Sequence, residues 1–363
     1  MRVLIPLDNP GGGGIARVGR DLTAALSHVL PAEDELLVAG SLDGLASRPN
    51  VRAVQRVGTN RGRVARVVSD QLSVGLAARA ADLVHMPDAK APLLSGRPFV
   101  LTMHDLFFLD YPQWFPPAVR IYKRRLLDVS LRRGPSLIVC VSDHTRERLR
   151  AHRPESFSGC PVEVIHPGIE RPEPAPASAH AEPSDEPYFL TVSAIEPRKN
   201  HLGLLRAFSA ARAAGLGLRW KVVGSIQYGG DPILEALRAA HGVDVLGRVD
   251  QFQLERLFAH ACFVATPSFA EGFGFPPLEA MARGVPVACA TGSALDETVG
   301  ETALRIDPTD EPRWTQALLS LASDAALREG LIASGRENVR RFSWPAAARA
   351  HLALFSRALE SGR

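Results

Sequence analysis

The chain has 363 residues, of which 46% are hydrophobic and 22% charged, and its formal net charge is +3. This length predicts two domains, and the composition is that of an ordinary soluble globular protein, not of a disordered or fibrous one. The sequence has no run of eighteen apolar residues, which excludes a membrane-spanning helix.

Charge distribution and cysteine usage narrow the function classes further. Residues 1–165 hold 22 basic and 16 acidic side chains, a net charge of +6, whereas the remainder holds 20 and 23, a net charge of −3. This asymmetry fits an anionic ligand between the halves, or an acidic surface that the first half contacts. No stripe of interleaved aromatic and basic residues is present, so we expect no nucleic-acid partner. The four cysteines lack metal-type spacing and the first residues lack a signal-peptide pattern, so we expect no metal, reduced thiols and a cytoplasmic location.

A strand, a glycine loop and a helix open the chain. Residues 2–7 are apolar and predict a buried strand, and four consecutive glycines, Gly11–Gly14, precede a helix with one apolar face. Phosphate groups bind at such loops, because the amides of a helix N-terminus point at the anion. Gly12, Gly13 and Gly14 are therefore candidate ligands of a phosphate, and a plain turn is the alternative. The glycine spacing is not the dinucleotide fingerprint, and no Lys-Ser/Thr pair follows as in a P-loop.

Apolar runs alternate with helical stretches through the rest of the first half. The strands that they predict are Leu36–Ala39, Val51–Val57, Asp82–Met86, Phe99–Met103 and Leu137–Val141. This alternation is typical of a doubly wound parallel sheet, in which ligands gather at the carboxyl ends of the strands. His104 and Asp105 follow the run that ends at Met103, so we expect them at such an end. A lone histidine is more often structural than catalytic, and the position alone leaves both interpretations open.

An aromatic loop and a basic helix follow. Residues 111–117 contain Tyr111, Trp114 and Phe115 among prolines, and residues 120–125 read Arg-Ile-Tyr-Lys-Arg-Arg. A solvated helix face is the simpler interpretation. The alternative is a patch that contacts the acceptor of a reaction or the surface of a membrane.

Composition marks the domain boundary. Residues 171–186 are rich in proline, alanine and acidic residues without an apolar period, which predicts a linker. We therefore expect a first Rossmann-like domain over residues 1–170 and a second over residues 187–343. Residues 344–363 are expected to form a helix that packs back on the first domain.

The second domain begins with a strand-like run over residues 188–194. Glu-Pro-Arg-Lys-Asn follows at residues 196–200, so that Arg198 and Lys199 lie at the end of a strand and just before a helix. Solvated loop charges are the simpler interpretation, and an anion site is the alternative. Further strands are predicted at Trp220–Gly224 and Val243–Leu246, and Arg248 and Val249 lie in the turn after the second of them.

Residues 262–290 combine a strand, a glycine-rich turn, a helix and a second strand over Val285–Ala290. The turn is Glu271–Phe275, with Gly272 and Gly274 on either side of Phe273, and the helix begins at Pro276-Pro277 and ends at Gly284. Glycine lets the backbone approach a ligand, and a buried carboxylate accepts hydrogen bonds from ribose or sugar hydroxyls. Glu271 and Glu279 are therefore candidates for such contacts. The alternative is that Glu279 is a solvated helix residue and Glu271 a cap.

The string Glu-Gly-Phe-Gly-Phe-Pro-Pro-Leu-Glu at residues 271–279 resembles the signature of retaining family 4 glycosyltransferases, in which two glutamates are separated by seven residues. Glu-Pro-Arg-Lys-Asn resembles the family's diphosphate-binding segment, and His104-Asp105 its His-Asp motif. The resemblance covers nearly the whole chain and implies a GT-B fold, in which two Rossmann-like domains face a central cleft with the active site. Many members carry an arginine directly after the strand where this chain has Ser193-Ala194, so Arg198 and Lys199 must provide that charge.

The resemblance implies a role for each candidate residue. The catalytic candidates are His104, which contacts the transferred sugar, Arg198 and Lys199, which stabilise the leaving diphosphate, and Glu271, which holds hydroxyls of the donor sugar. The candidates for substrate binding are the backbone at Gly12, Gly13 and Gly14, Asp105, the turn at Arg248 and Val249, the loop Gly272, Phe273, Gly274 and Phe275, and Glu279 for the ribose.

The expected function is therefore that of a retaining, metal-independent hexosyltransferase of polysaccharide biosynthesis, without a cofactor beyond its nucleoside-diphosphate-sugar substrate. The motif variants resemble those of bacterial mannosyltransferases, which makes GDP-mannose the first donor candidate, ahead of UDP-hexoses. The expected acceptor is a hydroxyl of a saccharide, of a lipid-linked molecule or of a small molecule, and the first domain is expected to contact the inner face of the membrane. A non-hydrolysing sugar-nucleotide epimerase and an inactive nucleotide-sugar-binding protein remain as alternatives. The glutamate spacing argues against the epimerase, and the retained charged residues argue against an inactive protein.

Overall fold

A computed structural model describes residues 1–7, 14–40, 49–54, 63–170 and 186–360, with the backbone alone for residues 63–68. The chain divides into two compact units. The first unit comprises Met1–Asp110, Pro117–Gly168 and Phe342–Arg363, and the second comprises Tyr111–Pro116 and Ile169–Arg341. Of the linker predicted over residues 171–186, all but Glu186 lies outside the described residues.

Each unit is built on one parallel sheet. The first sheet has the strand order β3-β2-β1-β4-β5-β6-β7 and the second the order β10-β9-β8-β11-β12-β13. The strands of the first sheet are β1 Arg2–Pro6, β2 Glu35–Ala39, β3 Val51–Val54, β4 Leu83–Met86, β5 Phe99–Met103, β6 Leu137–Cys140 and β7 Val162–Val164. Those of the second are β8 Tyr188–Val192, β9 Arg219–Val223, β10 Val243–Gly247, β11 Ala261–Thr266, β12 Val287–Ala290 and β13 Leu304–Ile306.

Helices connect these strands. They are α1 Gly14–Val29, α2 Arg63–Ala77, α3 Phe107–Asp110, α4 Pro117–Arg132, α5 Asp143–His152, α6 Ser156–Gly159, α7 His201–Ala213, α8 Asp231–Ala239, α9 Gln251–His260, α10 Phe275–Ala282, α11 Leu295–Thr298, α12 Glu311–Ser323, α13 Ala325–Asn338 and α14 Trp344–Glu360. Local signals set several of their ends. Ser142 accepts a hydrogen bond from the Thr145 amide at 3.1 Å and so begins α5, and Asp250 with Gln253 forms a capping box at the start of α9.

The first sheet buries both of its faces. Side chains alternate along a strand, so Ile5 of β1 packs in one cluster with Leu26 of α1 and Phe355 of α14, while Leu4 packs in another with Val74 of α2. Two covered faces explain why the strands appear as continuous apolar runs in the sequence. The C-terminal helix α14 is part of this unit and packs against α1.

Aromatic rings fill one side of the second sheet. The ring of Phe189 stacks on those of Phe263 and Trp220, with centroids 5.0 and 5.7 Å apart, and Phe208 of α7 meets Trp220 edge-on. Aromatic pairs contribute roughly 0.5–1.5 kcal/mol beyond the burial of their area. This core fixes β8 and β11, the two strands that lead to the candidate site residues Arg198, Lys199 and Glu271.

Several predicted boundaries differ from the structure, most of them by one or two residues, and two of the differences are informative. The strand predicted from Val285 begins at Val287, because Pro286 has no amide hydrogen to donate to a neighbouring strand. The segment Tyr111–Pro116, which the sequence analysis placed in the first domain, belongs to the second unit. There the ring of Trp114 stacks on Phe269, with centroids 5.6 Å apart.

Candidate active site

The cationic pair of the second unit lies on one tight turn. After β8 the chain forms a 3-10 turn over Pro197–Lys199, and Asn200 then adopts a left-handed conformation with φ 53° before α7 begins. The Asn200 side chain donates to the carbonyl of Pro308 at 2.7 Å, which holds this strained residue in place. The turn buries Lys199, which is 7% exposed, at the start of the helix.

Glu271 is the centre of a buried charge network. Its Oε1 accepts hydrogen bonds from Lys199 Nζ at 2.6 Å and from Ser268 Oγ at 2.7 Å, and its Oε2 lies 3.4 Å from a guanidinium nitrogen of Arg198. Arg198 also donates to the carbonyl of Ala270 at 2.6 Å and pairs with Glu196. We call Glu196, Arg198, Lys199, Ser268 and Glu271 the Glu271 network. It contains two cations and two carboxylates.

The network holds the pKa values of its members away from their ordinary values. Burial raises the pKa of Glu271, but Lys199 and Arg198 outweigh burial, so the pKa lies below its usual value and the carboxylate is ionised at neutral pH. Burial lowers the pKa of Lys199, Arg198 lowers it further, and Glu271 offsets part of this effect. An unpaired charge at this depth would be very costly, so each member depends on the others.

The glycine loop after Glu271 is held through its carbonyl groups. The Ala294 amide donates to the carbonyl of Glu271 at 3.2 Å, and Thr298 Oγ1 donates to that of Phe273 at 2.8 Å. Gly274 has φ +98°, and a Cβ on it would lie 2.5 Å from a methyl carbon of Leu295, so only glycine fits there.

Glu279 is buried on the helix that follows this loop. It lies in the second turn of α10 and is 4% exposed. The alternative of a solvated helix residue is therefore wrong for Glu279, since a helix residue at this depth does not face solvent. The interpretation of Glu271 as a helix cap is also not what the structure shows, because its carboxylate accepts hydrogen bonds from the side chains of Lys199 and Ser268.

His104 of the first unit is fixed from two sides. Its Nε2 lies 2.8 Å from the carbonyl of Pro87, which can only accept, so Nε2 carries the proton and Nδ1 is left as an acceptor. Its own carbonyl accepts from Thr145 Oγ1 at 3.1 Å. Burial lowers the pKa of His104, and the Pro87 carbonyl and Asp105 offset part of this effect. Asp105 accepts from the Phe107 amide at 3.3 Å and so caps the short helix α3.

A cavity of about 140 Å³ lies beside His104 within the first unit. Asp105, Phe108, Tyr122 and Lys123 contribute to its lining. Carboxylates that accept from hydroxyls and aromatic rings that pack on sugar faces are both suited to a carbohydrate ligand.

The remaining predicted residues are the glycines that precede α1 and the turn after β10. Gly12 and Gly13 lie outside the described residues, and Gly14 is the exposed first residue of α1. Arg248 is exposed and Val249 half-buried directly after β10, whose last residue, Gly247, has φ +68°.

Three polar partners were missed by the sequence analysis. Ser268 and Glu196 hold Glu271 and Arg198, and His85 of β4 lies 2.9 Å from Thr102 Oγ1 of β5, two residues before His104. Ser268 and His85 lie outside the motifs that the sequence analysis singled out, whereas Glu196 is the first residue of the Glu-Pro-Arg-Lys-Asn segment. For Ser268 the one available signal was its position, three residues before Glu271 in the turn after a buried strand.

All four cysteines are free. Burial raises the pKa of the Cys140 and Cys289 thiols to about 12, so these groups stay protonated and inert at neutral pH. Among the helices of the described residues, none has the length and apolar character needed to cross a bilayer.

Solved structures with the same architecture are known. Sucrose-phosphate synthase from Thermosynechococcus elongatus superimposes with a TM-score of 0.76 at 20% identity, over 99% of this chain and 100% of that one. The Anabaena HepE protein in complex with UDP and glucose has a TM-score of 0.76 at 17% identity, over 98% and 100%. With two parallel-sheet α/β units, the expectation of a GT-B fold is confirmed.

Sequence comparisons identify the family. The family described as Glycosyltransferase Family 4 matches residues 12–171, and that described as Glycosyl transferases group 1 matches residues 175–338. The chain therefore belongs to the family 4-like glycosyltransferases of the GT-B fold.

Two curated relatives illustrate the range of the family. O-antigen chain mannosyltransferase B of Escherichia coli is 31% identical over 255 residues, which is 68% of this chain and 66% of that protein. D-inositol 3-phosphate glycosyltransferase of Nocardioides sp. (strain ATCC BAA-499 / JS614) is 34% identical over 223 residues, or 54% and 48%. The match thus spans between about half and two thirds of the length of these relatives.

Proposed function

We propose that the protein is a retaining glycosyltransferase that moves a hexose from a nucleoside-diphosphate sugar to a hydroxyl acceptor. The Glu271 network carries this proposal. A buried lysine and a half-buried arginine next to a glycine loop and a helix N-terminus are suited to a diphosphate, and the buried carboxylates of Glu271 and Glu279 are suited to sugar and ribose hydroxyls.

The proposed chemistry follows from where charge develops. Loss of the diphosphate from the anomeric carbon leaves an oxocarbenium-like sugar and puts negative charge on the leaving group. Arg198 and Lys199, together with amides of the loop that ends at Phe275, stabilise that charge more in the transition state than in the ground state. Because these cations already lie in fixed positions, little reorganisation is needed when the bond breaks.

Each carboxylate is proposed to hold one part of the donor. Both donors at Oε1 of Glu271 come from the protein, whereas Oε2 has a single long contact with Arg198, so Oε2 is the better acceptor for a sugar hydroxyl. Glu279 accepts from the ribose hydroxyls, and the turn at Arg248 and Val249 contacts the base. The unprotonated Nδ1 of His104 accepts from a hydroxyl of the transferred sugar.

Retention is proposed to proceed by substitution on one face of the sugar, where the leaving phosphate takes the proton of the acceptor hydroxyl. No step in this scheme needs a metal ion, since Arg198 and Lys199 neutralise the diphosphate. The two glutamates fall in one binding segment, which does not fit the acid–base carboxylate pairing of glycosidases.

GDP-mannose is the first donor proposed, with UDP-hexoses second. The match to O-antigen chain mannosyltransferase B supports mannose as the transferred sugar. The structural likeness to a protein in complex with UDP and glucose is the reason to test UDP-hexoses as well. The acceptor hydroxyl is proposed to enter the cavity beside His104. The acceptor class extends from saccharides and lipid-linked molecules to small molecules such as an inositol phosphate, which one relative's name suggests.

We also propose peripheral contact between the first unit and the inner face of a membrane. On α4, Ile121 and Tyr122 are each 50% exposed, and Arg124 and Arg125 are exposed beside them. Exposed apolar and basic side chains on one helix suit an anionic bilayer surface.

Calorimetric titration with GDP, UDP, ADP and dTDP tests the donor assignment. We expect one nucleotide to bind selectively, and binding to weaken at least tenfold in Lys199→Ala and in Glu279→Ala but not in Glu311→Gln, a control on α12 whose partner Arg206 is also exposed. Transfer from the matching sugar nucleotide, followed by NMR of the anomeric proton with and without EDTA, tests retention and metal independence. Absence of nucleotide binding would overturn the proposal, and a sugar altered on its nucleotide would favour the epimerase.

A further inference from the structure

We infer that the first unit docks on an anionic bilayer through four exposed leucines with a rim of arginines. The leucines are Leu72 and Leu76 of α2 and Leu93 and Leu94 of the segment after β4, and we call them with Arg79, Arg97 and Arg133 the leucine–arginine face. This inference rests on the membrane contact proposed above and moves its apolar anchor from α4 to a surface that no sequence motif marks.

The four leucines form one patch. They are 44%, 50%, 39% and 57% exposed in chain order. Leu72 and Leu76 are one helical turn apart, so they lie on the same side of α2. The Leu93 amide donates to Gln71 Oε1 at 2.7 Å, and a Cβ placed on Gly75 would lie 2.7 Å from Leu94 Cβ. The segment with Leu93 and Leu94 is therefore packed directly against α2.

The arginines are attached to the same segment through backbone carbonyls. Arg97 donates to the carbonyl of Arg79 at 3.0 Å, and Arg133, just after α4, donates to that of Ser95 at 2.8 Å. The Ala91 amide also donates to Ser130 Oγ of α4 at 2.9 Å. Within the described part of the chain, none of these three arginines takes part in an ion pair, although their side chains are exposed.

The combination of charge and apolar area favours a bilayer over other occupants. Unpaired guanidinium groups bind lipid phosphates, and leucines at the same level enter the boundary between headgroups and acyl chains. In a two-fold dimer through this face, each arginine rim would meet an identical rim, which is repulsive. A nucleic acid would use the arginines but would leave four leucines in water. An anionic bilayer satisfies both parts of the face.

Vesicle sedimentation with the full chain tests the inference. We expect binding to vesicles of phosphatidylglycerol and phosphatidylethanolamine, weak binding to pure phosphatidylcholine, and a decrease between 0.1 and 0.5 M salt. Leu76→Ser with Leu94→Ser should weaken binding at least tenfold. Arg97→Gln with Arg133→Gln should weaken it about twenty-five-fold, since each charge near an anionic surface is worth roughly a factor of five. Leu202→Ser with Leu246→Ser changes two leucines of the second unit with 38% and 40% exposure and should bind like the parent.

Several outcomes would overturn the inference. The parent must bind anionic vesicles, the leucine variant must bind them more weakly than the parent, and the control variant must not lose as much binding as the leucine variant. Light scattering that shows a dimer, dissociated by the leucine substitutions, would also overturn the inference. Nucleotide binding, measured on the same variants, should stay at the parental level. A protein that binds nucleotide but no vesicles would contradict the membrane contact alone, whereas one that binds vesicles but no nucleotide would contradict the glycosyltransferase proposal alone.

Discussion

Replacement of Glu271 by glutamine separates the structural role of the Glu271 network from its proposed role with a diphosphate. Glu271→Gln keeps the shape of the side chain and removes the charge that Lys199 faces at 2.6 Å. Removal of one partner of a buried ion pair costs about 3–5 kcal/mol, because the other charge stays buried without compensation. Arg198 keeps its pairing with Glu196, so we expect the lower end, about 3 kcal/mol. For a unit of this size that corresponds to a fall in melting temperature of roughly 6–12 °C.

Bound nucleotide should reduce the loss of stability in Glu271→Gln. A nucleoside diphosphate provides negative charge to Lys199 and Arg198, and in the variant it no longer competes with the carboxylate of Glu271. If the variant binds the nucleotide about tenfold more tightly, saturating ligand returns roughly 1.4 kcal/mol more to the variant than to the parent. The assay is chemical denaturation with and without GDP or UDP. A nucleoside diphosphate without a sugar is used, so that the proposed contacts of Glu271 with the sugar have no influence.

Glu255→Gln is the matched control for this experiment. It breaks a contact in which Arg283 Nε donates to Glu255 Oε2 at 2.7 Å, in the same unit but outside the Glu271 network. We expect a loss of stability here as well, because the side chain of Arg283 is only 7% exposed and loses its carboxylate partner, but the same nucleotide effect as in the parent. The reasoning would be refuted if Glu271→Gln melted within about 2 °C of the parent, or if nucleotide left the difference between variant and parent unchanged.

Two further predictions concern buried histidines. Burial lowers the pKa of His351 to about 4 and that of His201 to about 3, so these groups provide stability that is present above the unfolded value near 6.5 and is lost as the pH falls. Between pH 6.5 and 4.5 each should cost about 2 kcal/mol of unfolding free energy, and His351→Phe should reduce the slope of that free energy against pH by close to one proton near pH 5. Thr102→Val leaves Nε2 of the buried His85 without its hydrogen-bond partner, so we expect the unfolding free energy to fall by about 1–3 kcal/mol. Turnover should also be slower, because His104, two residues further on, is displaced. Thr102→Ser keeps the hydroxyl and should restore both stability and turnover.

Local patterns explain why so much of the architecture could be predicted. The strands Phe99–Met103 and Tyr188–Val192 are buried on both faces and so appear as apolar runs. The helix end at Gly284 was predicted because glycine readily adopts φ +71°. The positions of His104 and Arg198 at the carboxyl ends of strands follow from the topology of a parallel sheet, which short-range alternation already indicates.

Long-range pairing explains what could not be predicted. Lys199 and Glu271 are 72 residues apart in the chain and lie in two different motifs, which the sequence analysis assigned to the diphosphate and to the sugar separately. Their contact depends on the adjacency of β8 and β11 in the second sheet, which the sequence does not specify. The same holds for His85 and Thr102, whose hydrogen bond depends on the register of β4 and β5.

The charge balance of the Glu271 network changes how the cationic motif should be interpreted. Taken from the sequence, Arg198 and Lys199 form a site with two positive charges, but Glu196 and Glu271 neutralise both in the folded unit. A diphosphate must therefore share these cations with carboxylates, which weakens binding of the ground state. The negative charge on the leaving group increases in the transition state. Arg198 and Lys199 therefore interact more strongly with the leaving group in the transition state than in the ground state. Glu196, the first residue of the Glu-Pro-Arg-Lys-Asn segment, would thus determine how much of the charge of Arg198 is available to the proposed donor.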